Sequence, residues 1–350
     1  MKIWAYLVDE HALGDVFAGI PTWGLLLAIA LTVLMLTKGA DWMIDGAVDL
    51  ALRTKLPKIV IGATILSLGT TAPEAFVSVM AAFMGNPGLA LGNGVGSIIA
   101  DTGLIFGMTA LVAAPPMNKW ILNRTGWWQI GSAVLLVALA GGALLLNPED
   151  PVISRPMGLL LIALLMTYMV MTYRWARSGK DSSVLVGTEM EVSEHKHELS
   201  MTMTLVTLLG GLALVITASR LLIPAASETA GRLGVPDDVI AATMVALGTS
   251  LPELTTAIAA IRKGHPEITV GNIVGADVLN SLFVIGAASL AVPLSVPPTF
   301  FRFHFPAMLL ILVSFRVFIG MGKDGRFRRW QGVWLLALYG VYIALQYILN

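Results

Sequence analysis

The sequence predicts an all-α polytopic membrane protein whose ten transmembrane helices form two inverted five-helix repeats. Three observations predict this fold class: an apolar composition, ten stretches long enough to cross a bilayer, and an internal repeat with opposite loop charges. Of the 350 residues, 56% are apolar and only 13% are charged, which is about half the charged fraction of soluble domains. The balance of 22 basic and 22 acidic residues argues against nucleic acid as a partner. The sequence contains no cysteine, which excludes disulfides, zinc-thiolate sites and a thiol nucleophile.

A helix that crosses the hydrocarbon core needs roughly 20 mostly apolar residues. Ten stretches meet this requirement, near residues 22–44, 59–83, 89–113, 127–146, 156–174, 201–224, 238–261, 267–292, 304–321 and 330–348. The first 20 residues contain neither a long apolar core nor a small-residue cleavage site. They are therefore expected to form a short interfacial segment.

The basic residues are sorted between the two sides of the predicted bundle. Fifteen of the 22 Lys and Arg residues follow odd-numbered stretches, whereas only four lie on the opposite side. Because short cytoplasmic loops are enriched in Lys and Arg, the loops after odd-numbered stretches are predicted to be cytoplasmic. Both termini are then expected on the non-cytoplasmic side of the cell (inner) membrane.

This topology divides the chain into two repeats and a connection. Residues 1–174 are predicted to form the first five-helix repeat, 175–200 a cytoplasmic linker loop, and 201–350 the second, inverted repeat. The linker contains His195 and His197 among several glutamates. A solvated linker is favoured over a regulatory metal site because no further ligand pattern accompanies the two histidines.

An internal duplication supports the two-repeat division. Residues 61–107 align without a gap with residues 240–286 at an offset of 179, and 16 of the 47 positions are identical. Paired Gly-Thr-x-x-Pro-Glu blocks are followed at equal distance by paired Gly-Asn-x-Val-Gly blocks, which indicates duplication. The turn between the two blocks has no cation in copy one, but contains Arg262 and Lys263 in copy two. The copies are therefore predicted to have opposite orientations, as in many secondary transporters.

Four acids lie inside the apolar stretches: Glu74, Glu253, Asp101 and Asp277. An acid at the middle of a bilayer costs about 2.5–3.5 kcal/mol on insertion scales, so it normally faces a bundle interior, a cavity or a counter-charge. The duplication places Glu74 and Glu253 at matched positions, whereas Ile98 is the counterpart of Asp277. The alternative for each acid is a structural ion pair with a nearby cation, and this alternative is strongest for Asp277.

Other oxygen-bearing groups accompany the two glutamates. Thr70 lies one helical turn before Glu74, and Thr249 holds the same position before Glu253. The proline that precedes each glutamate lacks an amide hydrogen, so it is expected to break the helix and free a backbone carbonyl. Carboxylate, hydroxyl and carbonyl oxygens suit a hard cation such as calcium, which binds about six to eight oxygens. Soft transition metals are disfavoured, because the sequence has no Cys and the two motifs contain no His.

A second polar stripe at four-residue spacing follows in each copy: Asn93, Ser97 and Asp101 in the first, and Asn272, Ala276 and Asn280 in the second. Interleaved glycines allow neighbouring helices to approach closely. Packing alone explains the glycines but not the recurring amide and acid groups. Cation ligation by Asp101 and Asn280 is therefore favoured over a packing role.

With these motifs, the sequence resembles the sodium/calcium exchanger family of the cation/calcium antiporters, and within it a prokaryotic calcium/sodium antiporter. The resemblance rests on Gly-Thr-Thr-Ala-Pro-Glu at 69–74, Gly-Thr-Ser-Leu-Pro-Glu at 248–253, and the two Gly-Asn-x-Val-Gly segments. The predicted layout of ten spans in two inverted repeats also matches this family, so the resemblance covers nearly the whole chain.

The resemblance also implies a set of ion ligands. It implies calcium between Glu74 and Glu253, with oxygens from Thr70 and Thr249. It further implies flanking sodium sites, which use Thr71, Ser97, Ser250, Asp101 and Asn280.

Three positions depart from the family pattern. Ala276 stands where many members have a serine, and the usual order of Asn in copy one and Asp in copy two is exchanged at Asp101 and Asn280. Asp277 adds an acid where the family often has Asn, and it is retained as a candidate ligand. These departures weaken the assignment of sodium as the counter-ion more than that of calcium.

The expected function is antiport of calcium against sodium by alternating access in the lipid bilayer, without a cofactor or an obligatory protein partner. The nearest alternative is antiport of calcium or another divalent cation against protons, and a cation channel is a third. An enzyme is not expected, because an intramembrane aspartyl protease would need Tyr-Asp and Gly-x-Gly-Asp strings, which the sequence lacks.

Overall fold

The computed structural model describes residues 16–54, 56, 58–83, 85–178, 200–233, 250–322 and 324–349. Ten helices of at least 12 residues occur in this part of the chain: α1 (Thr22–Thr54), α2 (Lys58–Phe83), α3 (Pro87–Ala113), α4 (Lys119–Leu146), α5 (Arg155–Ser178), α6 (Met201–Arg232), α7 (Leu251–Arg262), α8 (Pro266–Ala291), α9 (Phe300–Met321) and α10 (Arg329–Leu349). Two short strands, β1 (Val152–Ile153) and β2 (Leu294–Ser295), pair antiparallel.

Eight of the ten helices, all except α7 and α10, are long and apolar enough to cross a membrane. The prediction of an all-helical membrane protein is thereby confirmed. Helix α7 is described only from Leu251, so the first half of the predicted stretch 238–261 lies outside the described residues. The N-terminal segment and most of the predicted linker 175–200 also lie outside them. Helix α5 extends to Ser178, beyond the predicted repeat boundary at residue 174.

Several helices are longer than the apolar stretches that predict them. Helix α1 continues to Thr54 instead of ending near residue 44, and α4 begins at Lys119 instead of near residue 127. The added turns of α1 include an ion pair between Arg53 and Asp49, with an N–O distance of 2.7 Å. An apolarity criterion misses such turns because they carry polar side chains that belong at a membrane surface.

The turn between the two repeated blocks has the same backbone geometry in both copies. The glycine that ends the helix is left-handed, with φ of +77° at Gly85 and +78° at Gly264. The next amide donates to the carbonyl five residues earlier, at 2.9 Å from Asn86 and 2.8 Å from His265. This helix end requires a residue that adopts positive φ without a steric cost, which explains the repeated glycine.

Helices α1 and α6 form a long antiparallel pair. Arg232 at the end of α6 donates to the Thr22 hydroxyl at the start of α1 at 3.2 Å. Further along α1, a Cβ atom on Gly46 would lie 2.7 Å from the backbone nitrogen of Leu208. These two contacts show that α1 and α6 run in opposite directions. Because Gly46 has no side chain, the two backbones can approach closely.

The central and peripheral helices differ in burial. The protein buries 83% of the apolar span of α8 and 72% of that of α3, but only 28% and 29% of those of α1 and α6. Most buried apolar residues of α3, α4, α5, α8 and α9 belong to one core. The α1–α6 pair contributes to a separate, smaller core with residues of α2 and α7 and with Ile268 of α8.

Loops at each end of the bundle contact one another in a regular way. Lys58 at the start of α2 pairs with Glu267 at the start of α8 at 3.5 Å. In the same way, the α3–α4 loop meets the α9–α10 loop, where Met117 N donates to Gly325 O at 2.7 Å. Strands β1 and β2 join the α4–α5 and α8–α9 loops. In each contact, the two loops either both follow odd-numbered helices or both follow even-numbered helices. This is the pattern expected when successive helices alternate in direction.

Candidate functional site

The predicted site residues come from α2, α3, α7 and α8 and are buried in the protein. Every candidate that the structure describes is at most 4% exposed: Thr70, Thr71, Glu74, Ser97, Asp101, Ser250, Glu253, Asp277 and Asn280. Thr249 lies outside the described residues.

The four intramembrane acids converge on one region. The charges of Glu253 and Asp101 act on the carboxylate of Glu74, and those of Glu253 and Asp277 act on Asp101. Such like charges repel strongly in a buried, low-dielectric environment. The group is therefore stable in an ionised form only when cations neutralise it.

The backbone around Glu74 differs from the expected broken helix. The helix runs without interruption from Ser67 to Phe83 and includes Pro73, whereas the irregular segment is a π-helical turn over Gly62–Leu66. The expected break at Pro73 is therefore wrong in position, because the α-helix continues through the proline and the irregular turn precedes it. In copy two, Pro252 occupies the first turn of α7, where a missing amide hydrogen carries no cost.

Many side-chain oxygens of the site are buried and accept or donate no hydrogen bond among the described residues. They are Glu74 Oε1 and Oε2, Glu253 Oε2, Asp101 Oδ1, Asp277 Oδ1, Asn280 Oδ1, Thr71 Oγ1 and Ser250 Oγ. A buried polar group without a partner costs about 1–3 kcal/mol. A concentration of such oxygens in one place is typical of a site that binds a cation.

Residues of the two copies meet at the site. The Thr70 hydroxyl of copy one lies next to the Glu253 carboxylate of copy two. In the opposite direction, the Ser250 hydroxyl of copy two lies near the Asp101 carboxylate of copy one. A single cation at this position would therefore contact both repeats.

Asp101 and Asn280 are joined directly, and both begin irregular helix turns. Asn280 Nδ2 donates to Asp101 Oδ2 at 3.4 Å. A π-helical turn runs from each of them, over Asp101–Phe106 and Asn280–Val284. Short π-helical turns inside α-helices occur frequently at functional sites.

Asn93 positions the backbone of the first motif. Its Nδ2 donates to Glu74 O at 3.1 Å and to Ser78 Oγ at 2.9 Å. This amide therefore holds α3 against α2 at the depth of the glutamate. Its counterpart Asn272 has an Oδ1 atom that is buried without a partner among the described residues.

The ion-pair alternative is not realised at Glu74 within the described residues. Arg220 of α6 lies close enough for its charge to act on Glu74. Neither carboxylate oxygen of Glu74, however, has a hydrogen-bond partner there. The other cation near this region of the sequence, Lys38, is exposed on α1.

Asp277 has partners that the sequence reasoning missed. The Thr102 hydroxyl donates to Asp277 Oδ2, and Gln129 Nε2 donates to the same oxygen at 2.6 Å. Gln129 lies on α4 and is 2% exposed. A single amide within an otherwise apolar span was the sequence signal for it, whereas Thr102 gave no signal of its own.

The acids do not form a preformed carboxylate cage. The described residues contain no group of three or more His, Asp or Glu side chains with metal-binding geometry. A cation at this site would therefore take several of its ligands from hydroxyl, amide and backbone oxygens.

A bundle of apolar helices around a buried, oxygen-lined site defines a polytopic membrane transport protein. The chain belongs to the sodium/calcium exchanger family: it matches the family described as "Sodium/calcium exchanger protein" over residues 24–174 and 203–348. The family predicted from the repeated motifs is thereby confirmed.

Individual relatives match along nearly their whole length. The chain is 30% identical to "Inner membrane protein YrbG" of Escherichia coli, over 93% of this chain and 98% of that protein. It is 28% identical to "Sodium/calcium exchanger MaX1" of Methanosarcina acetivorans, over 91% and 97% of the two chains. A solved structure of the sodium-calcium exchanger NCX_Mj, soaked with Na⁺ and Sr²⁺, superimposes with a TM-score of 0.74 and 26% identity, covering 93% of this chain and 99% of that one.

Proposed function

We propose that this chain is a secondary antiporter that exchanges calcium for sodium across the membrane by alternating access. The observation that carries the proposal is the buried pair Glu74 and Glu253. These acids occupy matched positions of the two repeats, and three of their four carboxylate oxygens have no hydrogen-bond partner among the described residues.

The chemistry of the site supports calcium and sodium as the transported ions. Its described candidate ligands are carboxylate, hydroxyl and amide oxygens, which hard cations prefer over soft transition metals. One relative and one similar solved structure are named sodium/calcium exchangers. We assign the central ion to Glu74 and Glu253 with Thr70 and Thr249, and flanking sodium ions to Thr71, Ser97, Ser250, Asp101 and Asn280.

The buried charges provide the coupling. Glu74, Glu253 and Asp101 are close enough to repel one another. An empty, ionised site is therefore too costly to carry through a low-dielectric barrier, and the carrier changes its access only when cations neutralise the acids. Calcium and sodium compete for the same carboxylates, so movement of one ion requires return of the other.

The helix arrangement supports a topology of ten spans in two inverted repeats. Antiparallel α1 and α6 are the first helices of the two repeats, so they cross the membrane in opposite directions. The loop contacts at the two ends of the bundle agree with this alternation. We infer that residues 1–174 and 201–350 are the repeats, that 175–200 is a cytoplasmic linker, and that both termini are non-cytoplasmic.

The moving element in this proposal is the α1–α6 pair. Only 28% and 29% of the apolar spans of α1 and α6 are buried in the protein, and their buried apolar residues lie outside the core to which α3 and most of α8 belong. Sliding of the pair along α2 and α7 would then leave the main core intact. Such a movement would open the central site alternately to the two sides.

Calcium-45 flux into proteoliposomes tests the function. Sodium-loaded vesicles with an outward sodium gradient are expected to accumulate calcium, and vesicles without that gradient are not. Calcium uptake that follows a proton gradient instead would identify a calcium/proton antiporter. Uptake that depends on no counter-gradient and is far faster would identify a channel.

A further inference from the structure

Asp277 is the one intramembrane acid whose counterpart in the other repeat, Ile98, is apolar. Its side chain is 1% exposed and lies where α8 meets α3 and α4. Thr102 of α3 and Gln129 of α4 both donate to a single oxygen, Oδ2. Three helices thus hold the carboxylate of Asp277 in one orientation.

The other carboxylate oxygen of Asp277, Oδ1, accepts no hydrogen bond from the described residues. This oxygen is buried, and Ser281 Oγ, one helical turn further along α8, is also buried without a hydrogen-bond partner among the described residues. A cation between Asp277 Oδ1 and Ser281 Oγ would give both of these buried oxygens a partner, because residues four apart lie on the same face of a helix.

This group adjoins the central site but is distinct from it. The charge of Asp277 acts on Asp101, whereas the charges that act on Glu74 are those of Glu253, Asp101 and Arg220. Neither Thr102 nor Gln129, the two residues that donate to Asp277, belongs to a repeated motif. An ion here would contact a different set of side chains from one held between Glu74 and Glu253.

We propose that Asp277, Ser281, Thr102 and Gln129 form an additional subsite that binds one monovalent metal cation next to the central site. A single carboxylate supplies one negative charge, and its few neutral neighbours cannot replace the shell of about six to eight oxygens that calcium requires. This inference rests on the proposed function, because it takes the central site to bind the exchanged ions. It adds one bound monovalent ion to those held by the two motifs.

Equilibrium binding to the purified full-length protein tests the subsite. Saturation binding of ²²Na⁺, and in parallel of ⁸⁶Rb⁺ as a substitute for potassium, is measured on the wild type and on Asp277→Asn. The asparagine keeps an oxygen that accepts from Thr102 and Gln129 but removes the charge. The wild type is expected to bind one monovalent ion more per chain than Asp277→Asn, and the isotope that shows the difference identifies the ion.

Equal numbers of bound ions in the two proteins would overturn the proposal and indicate a protonated or purely structural Asp277. Thr102→Val provides a second test that does not depend on folding of Asp277→Asn. It preserves the charge but removes one donor that orients the carboxylate, so the extra ion should remain while its half-saturating concentration rises about tenfold. Unchanged affinity in Thr102→Val would also count against the subsite. The proposed exchange itself is judged by wild-type calcium flux, so the two failures are distinguishable.

Discussion

Asn280 donates a hydrogen bond to Asp101 at 3.4 Å, and the two residues occupy equivalent positions of the two repeats, 179 residues apart. In the proposed inverted arrangement, equivalent residues of the two repeats can touch only near the axis that relates the copies. The contact therefore locates that axis beside the buried acids. A site on the axis is contacted by both halves of the protein, so movement of one half relative to the other changes its ligands.

Exchange of the acid and the amide across this axis should preserve function. Asp101→Asn alone removes one charge and is expected to lower sodium-driven calcium flux by about tenfold or more, because hydrogen bonds and contacts to charged groups are worth about 1.5–3 kcal/mol. The double variant Asp101→Asn with Asn280→Asp restores the charge at the equivalent position. Its flux is expected to recover to within a few-fold of the wild type.

Asn280→Asp alone is the matched control for this exchange, because it adds a charge without removing one. Flux that is no better in the double variant than in Asp101→Asn would show that the position of the acid matters, and not only the total charge.

Glu74→Gln and Glu253→Gln should separate transport from stability. Each removes a buried charge that repels its neighbours, so the thermal unfolding temperature in detergent is expected to stay the same or rise. Calcium flux is expected to fall at least about 100-fold, because a principal anionic ligand is lost. Residual exchange near the wild-type rate would remove these glutamates from the ion pathway.

A surface glutamate provides the control for these two variants. Glu228 pairs with Arg232 on α6 at 2.8 Å, and 30% of its side chain is exposed. Glu228→Gln is expected to change stability by about 0.5 kcal/mol or less and to leave calcium flux intact.

Close packing of α8 against α2 should make one glycine intolerant of any side chain. A Cβ atom on Gly275 would lie 2.5 Å from Ser67 Oγ and 2.6 Å from Ala63 O. Gly275→Ala is therefore expected to destabilise the protein by about 3 kcal/mol, at the upper end of typical overpacking costs. Gly131→Ala on α4 is the control, since a Cβ there meets no described atom within 4 Å. Equal melting temperatures for the two variants would contradict this packing.

Cross-linking tests the movement of the α1–α6 pair. Lys263 at the end of α7 contacts Asp45 of α1 at 2.5 Å, and the sequence contains no cysteine that would compete with introduced ones. A bifunctional thiol reagent across Asp45→Cys and Lys263→Cys is expected to reduce calcium exchange at least about tenfold, because it joins an element proposed to slide to one proposed to stay fixed.

The control for cross-linking is a pair within the fixed part of the bundle. Val152 and Ser295 face each other in the two-stranded ladder, so a cross-link between cysteines at these positions should leave exchange intact. Full activity of the cross-linked Asp45–Lys263 pair would rule out sliding of α1 relative to α7.

The sequence predicted more of this protein than its composition alone suggests. Hydropathy predicted ten membrane helices, and eight of the described helices are long and apolar enough to cross a membrane. The Gly-x-Pro turn that occurs in both copies contains a left-handed glycine in each, Gly85 and Gly264. Hydropathy failed at the ends of α1 and α4, where polar turns extend beyond the apolar stretch. The proline rule also failed at Pro73, because the chain places its irregular turn before the proline instead of at it.

Local features of this protein could therefore be predicted from its sequence, whereas contacts between distant residues could not. Apolar length, the duplicated motifs and the matched glutamates are local features, so the sequence by itself determined the class of protein, its family and the identity of the candidate ligands. Contacts between distant residues depend on how the helices pack, and only the tertiary structure decided them. Packing brought Asn280 to Asp101 and directed Thr102 and Gln129 to one oxygen of Asp277, because their positions in the sequence carry no record of which helices become neighbours.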